Sequence, residues 1–334
     1  MKIILAPMDG LTDVYAREIL TGIGGYDLCV TEFLRVTDTL FPKRVFYRRF
    51  PELKERLKSE LNNKPSYTKS GTPVFLQLLG SDTMAMAENA EKAVQLGAKG
   101  IDLNFGCPAK TVNRREGGAS LLQFPERINQ IVHSVRQAVS DDIPVTAKMR
   151  LGYDDQALAH DNALAIQDGG ASWVTIHART KKDAYRPPAY WDALAPISDL
   201  LSIPVIANGE IWSVDDYLIC KERSACDSVM LGRGAMVTPD LAMQIKCKLE
   251  NKTWQPLSWQ SVCHQLDKLY QLMLQNPDLK ERYIAPRLKL WVKWLMPNYT
   301  QAEDIFTALK LIKDPQQAIE LIRMSGREVG SDRC

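Results

Sequence analysis

Cys107 has the sequence setting that most invites chemistry. It stands in Asp102-Leu103-Asn104-Phe105-Gly106-Cys107-Pro108-Ala109-Lys110, and the adjacent glycines Gly117 and Gly118 follow downstream. Glycine before it and proline after it keep the cysteine out of regular structure, and the glycine pair lets the loop move. A buried structural cysteine ordinarily sits within a helix or strand. On such a loop a thiol serves as a nucleophile or as a proton donor, and with an ordinary pKa of about 8.5 it is mostly protonated at neutral pH.

Other residues offer charge and hydrogen bonds. Lys148 follows Val145-Thr146-Ala147 in alternation, so it shares a face with Thr146. An ammonium there stabilises negative charge developing on a bound ring, or it pairs with a carboxylate of its own sheet. His177 closes another apolar run, either as a ligand contact or as a hydrogen-bonded core residue. Asn208-Gly209-Glu210 and Leu231-Gly232-Arg233-Gly234-Ala235 are two glycine turns that together suit a phosphate cradle. Two glycines in a tight turn also need no ligand.

These residues share one property: each lies at the end of a short apolar or β-branched run. Eight such runs are predicted as strands, over 2–6, 28–31, 74–79, 100–104, 144–149, 173–177, 205–208 and 228–231. Helical spacing fills most of the gaps, as in 83–96, which stops at Gly97, and in 155–167, which stops before Gly169-Gly170. Eight strands alternating with helices in about 240 residues predict a parallel (β/α)8 barrel, a TIM barrel, with its chemistry at the C-terminal ends of the strands. The doubly wound open sheet is disfavoured, because Asp9-Gly10-Leu11-Thr12 follows the first run in place of G-x-G-x-x-G. Reading the strand ends in order yields Met8, Glu32 with Arg35, Gln77, Asn104 with Cys107, Lys148 with Arg150, His177 with Arg179, Asn208 with Glu210, and Gly232 with Arg233. That set suits an anionic, hydrogen-bonding ligand.

After residue 240 the strand pattern ceases, and helices are predicted over 241–250, 259–275, 287–295, 303–312 and 315–324, punctuated by Pro277, Pro286, Pro297 and Pro315. The domain boundary is therefore expected at 240, with the barrel over 1–240 and a helical bundle over 241–334.

The whole chain, with 334 residues, 45% of them apolar and a formal net charge of +2, excludes a disordered or fibrous protein and shows no global pull toward polyanions. Split at residue 240, however, the first part carries 28 Lys+Arg against 30 Asp+Glu and the second 14 against 10. A basic stretch also follows the second strand: Arg35, Lys43, Arg44, Arg48, Arg49, Lys54, Arg56 and Lys58, facing Asp38, Glu52, Glu55 and Glu60. The seven cysteines (29, 107, 220, 226, 247, 263 and 334) form no C-x-x-C pair, which argues against a disulfide framework and a structural zinc site. No run suits a signal peptide or a membrane span, so with these cysteines the chain reads as cytoplasmic, without membrane or metal; a monomer is the expectation, though no residue pattern carries it.

The motifs Ala6-Pro7-Met8, Gln77-Leu78-Leu79-Gly80, Asn104-Phe105-Gly106-Cys107-Pro108, Lys148-Met149-Arg150, His177-Ala178-Arg179-Thr180, Asn208-Gly209-Glu210-Ile211 and Gly232-Arg233-Gly234 resemble, in order and spacing, the tRNA-dihydrouridine synthases. The resemblance spans the chain. It implies an FMN-bound barrel with a C-terminal helical tRNA-binding domain, reducing a tRNA uridine to 5,6-dihydrouridine with NADPH. It also implies FMN contacts from Pro7, Met8, Asp9, Gln77, Lys148, His177, Asn208, Gly209, Glu210, Gly232 and Arg233, with Cys107 as the catalytic acid. Hydride would pass from the flavin N5 to C6 of uracil and a proton from Cys107 to C5, the base having been swung out of the folded tRNA.

Asn104 would hydrogen-bond the uracil edge, and Arg150, Arg179 and Tyr185 would hold the nucleotide. Thr31-Glu32-Phe33-Leu34-Arg35, Lys110-Thr111-Val112-Asn113 and Arg287-Leu288-Lys289-Leu290-Trp291 are most similar to the bacterial branch acting on position 16 of the D-loop. Ala178 stands where the family commonly has glycine, which puts an extra methyl beside the cofactor. Arg35, Lys280, Arg282, Arg287, Lys289 and Lys293 would grip phosphates. On a helical wheel Lys289 and Lys293 share a face, and Arg287 lies nearly opposite with Trp291 and Trp294. A helix starting at Pro286 would put Arg287 in its first turn. The tryptophans either pack the bundle or, as for Trp294, meet RNA. Two other readings compete: an FMN barrel reductase of a free pyrimidine such as dihydroorotate or uracil, and a non-catalytic RNA-binding protein.

Overall fold

The computed structural model describes residues 1–54, 65–114 and 116–327. Glu55, Arg56, Lys58, Glu60 and Cys334, named above, lie outside the described residues. All eight predicted runs are strands: β1 (Ile3–Leu5), β2 (Leu28–Val30), β4 (Val74–Leu79), β5 (Ile101–Phe105), β6 (Val145–Arg150), β7 (Val174–His177), β8 (Val205–Asn208) and β9 (Ser228–Leu231). A two-residue strand, β3 (Leu34–Arg35), was not expected; it pairs only with the end of β4, Leu34 opposite Leu78. Every neighbour is parallel, and the β2–β4 pairing, Cys29 opposite Val74, closes the eight strands into a ring.

Period-two alternation makes this ring both a core and a site. Ile4, Ala6, Leu28, Val30, Phe75, Trp173, Ile206 and Met230 form one buried apolar cluster, in which the Phe75 and Trp173 rings stack 5.7 Å apart. Gly100 is fixed by this packing, because a Cβ there would come within 2.4 Å of the Phe75 ring. Two residues further along the same faces the side chains turn polar: Phe75 gives way to Gln77, Trp173 to Thr175 and then His177, Ile206 to Asn208. Cross-strand register adds Asp102 and Thr146 at the level of Gln77, and Asn104 and Lys148 at the level of Thr175.

The helices between strands start and stop on local chemistry. Thr83–Gln95 begins at Asp82, whose carboxylate accepts the Ala85 N–H at 2.8 Å, and it ends before Gly97 at φ +104°. Ala159–Asp168 starts four residues later than expected, since Asp155 instead accepts the Ala157 N–H and holds a turn.

The chain resolves into two compact units, Met1–Val14 with Tyr26–Gly232, and Tyr15–Gly25 with Arg233 onward. The division lies at Arg233, ahead of the expected 240, and the second unit gains most of the helix Val14–Ile23. Close packing explains the gain: Gly25 has φ +88°, and a Cβ on it would meet the Ala242 backbone at 2.5 Å. The other helices of this unit are Arg233–Val237, Leu241–Leu249, Trp259–Leu274, Ile284–Leu295, Thr300–Leu309 and Pro315–Ser325. Ile284–Leu295 begins two residues before Pro286, which therefore sits in the first turn, where its missing N–H leaves no helical bond unmade. Among the described residues no helix is long and apolar enough to cross a membrane.

Candidate active site

A buried hydrogen-bond chain leads from the barrel interior to the Cys107 loop. The Asp102 carboxylate accepts from Thr146 Oγ1 at 2.6 Å and from Gln77 Nε2 at 2.7 Å. Gln77 Oε1 accepts from Asn104 Nδ2 at 2.8 Å, and Asn104 Oδ1 accepts the N–H groups of Gly106 and Cys107, both at 3.0 Å. On its other side the loop is fastened at the Cys107 carbonyl, which accepts from Asn113 Nδ2 at 2.9 Å and from the Ala119 N–H at 3.1 Å. Gly118, at φ +62°, makes this approach possible. Cys107 is half-buried, and burial pushes its thiol above the ordinary range. The Ala109 N–H, Arg150 and Lys148 act against that shift and favour the thiolate.

Lys148 is half-buried opposite Asn104 and Thr175. Burial, then the neighbouring Arg150 charge, bring its ammonium down to about 8, with Asp102 and Cys107 acting in the other direction. The Thr175 hydroxyl is buried with no hydrogen-bond partner among the described residues. His177 Nε2 lies 3.3 Å from Arg179 Nη1, and the exposed Tyr185 ring is tilted toward the imidazole at 6.0 Å. After β8, Gly209 (φ +115°) and Glu210 (φ +56°) are consecutive left-handed residues. Glu210 is held by Arg179 at 2.8 Å and the Gly209 carbonyl by Trp191 Nε1 at 3.0 Å, while Asn208 Nδ2 donates to Met230 O at 2.7 Å. A Cβ at position 209 would come within 2.9 Å of the His177 ring.

Two arginines expected at the nucleotide have a different setting. Arg150 is 1% and Arg179 0% exposed. Arg150 donates to the carbonyls of Gly106, Thr180 and Ala184 and lies 5.3 Å from the Tyr185 ring. Arg179 donates to Arg186 O and Pro188 O besides pairing with Glu210. Desolvated guanidinium groups with that many carbonyl partners fasten loops and present almost no surface to RNA. Ala178 is fully buried, so its additional methyl is taken up by the protein interior.

At the first strand end Pro7 and Met8 are half-buried and Asp9 is exposed. Met8 N–H donates to Thr12 Oγ1 at 2.7 Å, and Arg49 bridges Asp9 and Glu32, each at 3.1 Å. Burial raises the Glu32 carboxyl, opposed by the Gly10 N–H and Arg49. Arg35 Nη2 donates to Thr111 O at 2.9 Å, tying β3 to the Cys107 loop. Gly232 closes the first unit, and a Cβ on it would make ordinary van der Waals contact with Met8 Sδ at 3.5 Å and Ala6 Cβ at 3.8 Å; Arg233 opens the helix Arg233–Val237. In the second unit Lys293 is exposed, Lys289 is half-buried and donates to Lys310 O at 3.0 Å, Trp291 is buried, and Arg287 and Trp294 are half-buried. Sequence reasoning names Asp102, Asn113 and Arg49 only as members of longer segments and misses their part in holding the site. Only Asp102 left a signal, as an acidic residue two places before Asn104 in an otherwise apolar run.

The chain matches the family model described as dihydrouridine synthase over residues 4–325. It is 45% identical over 325 residues to the tRNA-dihydrouridine(16) synthase of Shewanella oneidensis, covering 97% of this chain and 98% of that one. It is 45% identical over 310 residues to the protein of the same name from Pseudomonas putida, covering 93% of each. With that of Pseudomonas syringae pv. tomato it shares 46% over 326 residues, 97% of this chain and 99% of the other. Among solved structures, histamine dehydrogenase from Rhizobium sp. 4-9 superposes with a TM-score of 0.54 at 14% identity, over 81% of this chain and 49% of that one. The chain thus spans about half of that structure, and the likeness concerns the fold alone.

Proposed function

The chain belongs to the dihydrouridine synthase family, and from that premise we propose that it reduces a D-loop uridine of tRNA, at position 16, to 5,6-dihydrouridine, with FMN as cofactor and NADPH as reductant. The residues at the barrel mouth fit FMN. The buried Thr175 hydroxyl lacks a partner among the described residues, and the Lys148 ammonium, opposite it in register, suits an electron-rich ring edge. Gln77, Lys148, His177 and Asn208 would hold the ring, with Pro7, Met8 and Asp9 at the first strand end. Gly209, Glu210, Gly232 and Arg233 would hold the phosphate. When bound, FMN supplies the hydride that C6 of uracil receives, the redox chemistry that side chains lack.

The protein's own part is the proton. Cys107 gives its thiol proton to C5, and the observation that carries the reading is its half-buried seat on a loop held by Asn104, Asn113 and Arg150; burial there favours the thiol at rest, while the Ala109 N–H, Arg150 and Lys148 favour the thiolate left behind. Solvent then restores the proton. Asn104 holds the Cys107 N–H through its amide oxygen and would meet the uracil edge, and Tyr185, 51% exposed and backed by Arg150, offers a face for the extruded base. Arg35 of the first unit, and Arg287, Lys289, Trp294 and the exposed Lys293 of the second, would contact tRNA.

Purified protein is expected to be yellow. Cys107→Ala should keep flavin and tRNA binding and lose dihydrouridine formation by about 100-fold or more. Full activity in that variant would remove Cys107 as the acid. Mapping dihydrouridine in tRNA from cells lacking this protein should show loss confined to position 16; an unchanged pattern would overturn the reading.

A further inference from the structure

We propose that Asp102, which lies one step below the mouth, is a positioning residue that anchors the hydrogen-bond chain through Gln77 and Asn104 and thereby seats Cys107. The proposal rests on reading Cys107 as the proton donor. An amide can sit in two orientations of nearly the same shape, and here the N–H groups of Gly106 and Cys107, which can only donate, set the direction of the two-amide chain from the loop end. Asn104 therefore turns its oxygen to those N–H groups and its nitrogen to Gln77. Gln77 must then turn its oxygen to Asn104. Asp102 supplies the acceptor that this direction demands at the other end, its oxygen taking the hydrogen bond from the Gln77 nitrogen 2.7 Å away. Reversal at either amide would set oxygen against oxygen or N–H against N–H in a buried site, where unpaired polar groups are costly. Thr146, fully buried, fills the second Asp102 oxygen and keeps the carboxyl from rotating. Asp102 itself is 1% exposed and reaches the thiol only through the chain.

The test uses full-length Asp102→Leu and Asp102→Asn proteins. Leucine keeps the branched outline, with two bulkier methyl groups for the two oxygens, and removes the acceptor. Asparagine keeps an oxygen for Gln77, while its nitrogen faces Thr146, whose hydroxyl turns to Ile101 O, now 3.5 Å away. The first readout is the rate at which iodoacetamide alkylates Cys107, followed by mass spectrometry on flavin-free and flavin-loaded protein. The second is reoxidation of dithionite-reduced flavin by tRNA.

Asp102→Leu should alkylate at least about tenfold faster and reoxidise about 100-fold more slowly, the scale of a roughly 1 Å misplacement. Asp102→Asn should stay within about threefold of wild type in both. Wild-type rates in the leucine variant, or equal impairment in the asparagine variant, would overturn the proposal. Should the leucine protein not fold, Asp102→Ala carries the same expectations. A wild-type protein whose reduced flavin tRNA does not reoxidise would instead refute the catalytic reading, and the alkylation contrast would still test the seating.

Discussion

The Lys148 ammonium, drawn down to about 8, gives the cofactor site a pH dependence whose sign can be worked out. Below pH 8 the group is charged and can meet an electron-rich ring edge. Above it the charge is lost, so FMN affinity should fall by up to about tenfold per pH unit until the pKa of the complex is reached. Folding stability moves the other way. The unfolded lysine titrates near 10.4, so between pH 8 and that value the unfolded chain binds more protons than the folded one. The flavin-free protein therefore gains stability with rising pH in the window where it loses affinity. Cys107 is raised above its ordinary value, and its ionisation would add a negative charge that favours the charged lysine. Fluorescence titration of apoprotein with FMN at several pH values checks this. Lys148→Met should bind weakly and flatten the profile above pH 8, and an unchanged slope would assign the titration to another group.

Loops and strands carry a different kind of prediction, because a backbone position can be costly without touching the chemistry. Gly118 and Gly71 both have left-handed φ, +62° and +87°, and an alanine at either is strained by about 1 kcal/mol. Only at Gly118 would the new Cβ meet the Cys107 carbonyl oxygen at 2.9 Å and the Cys107 Cβ at 3.0 Å; at Gly71 it meets nothing within 4 Å. Gly71→Ala should therefore lower the melting temperature by a few degrees and Gly118→Ala by more, while only Gly118→Ala slows dihydrouridine formation. Equal activity would show that the loop absorbs the shift. The same contrast marks what could be read in advance. Period-two runs disclosed the eight barrel strands and, through their ends, Cys107, Lys148 and Gln77. The two-residue β3 was too short to carry a period. Asp102 and Asn113 acquire their roles from partners on another strand or across a turn, which spacing along one segment does not encode. Nor did spacing disclose that Arg150 and Arg179 are buried, since a charged residue at a strand end reads as exposed until its carbonyl partners are known.

For the whole molecule, the formal charge of +2 misleads in both directions, because cations are unevenly distributed and several are already engaged. In the first unit Arg49 is committed to Asp9 and Glu32, whereas Lys43, Arg44 and Arg48 on the helix Lys43–Arg49 are exposed. In the second unit Lys289 donates to a carbonyl, whereas Lys293 on the same helix is exposed. Phosphate contacts made by exposed cations release counterions, each contributing about 0.7–0.9 to the slope of log affinity against log salt. Lys293→Ala should therefore reduce that slope for tRNA by about one, and Arg44→Ala with Arg48→Ala by about two. Arg49→Ala should leave the slope unchanged and instead disturb the turn that carries Asp9. The charges that act on the thiol among the described residues are Arg150, Asp9 and Lys148, none of which the slope variants remove, so these variants should raise KM for tRNA with kcat at saturation retained. Filter binding across a salt series, paired with steady-state kinetics, separates the cases. A slope unmoved by Lys293→Ala would place the RNA elsewhere than on the helix Ile284–Leu295. A fall in kcat with KM unchanged would mean that this helix acts on the chemistry and not on the grip.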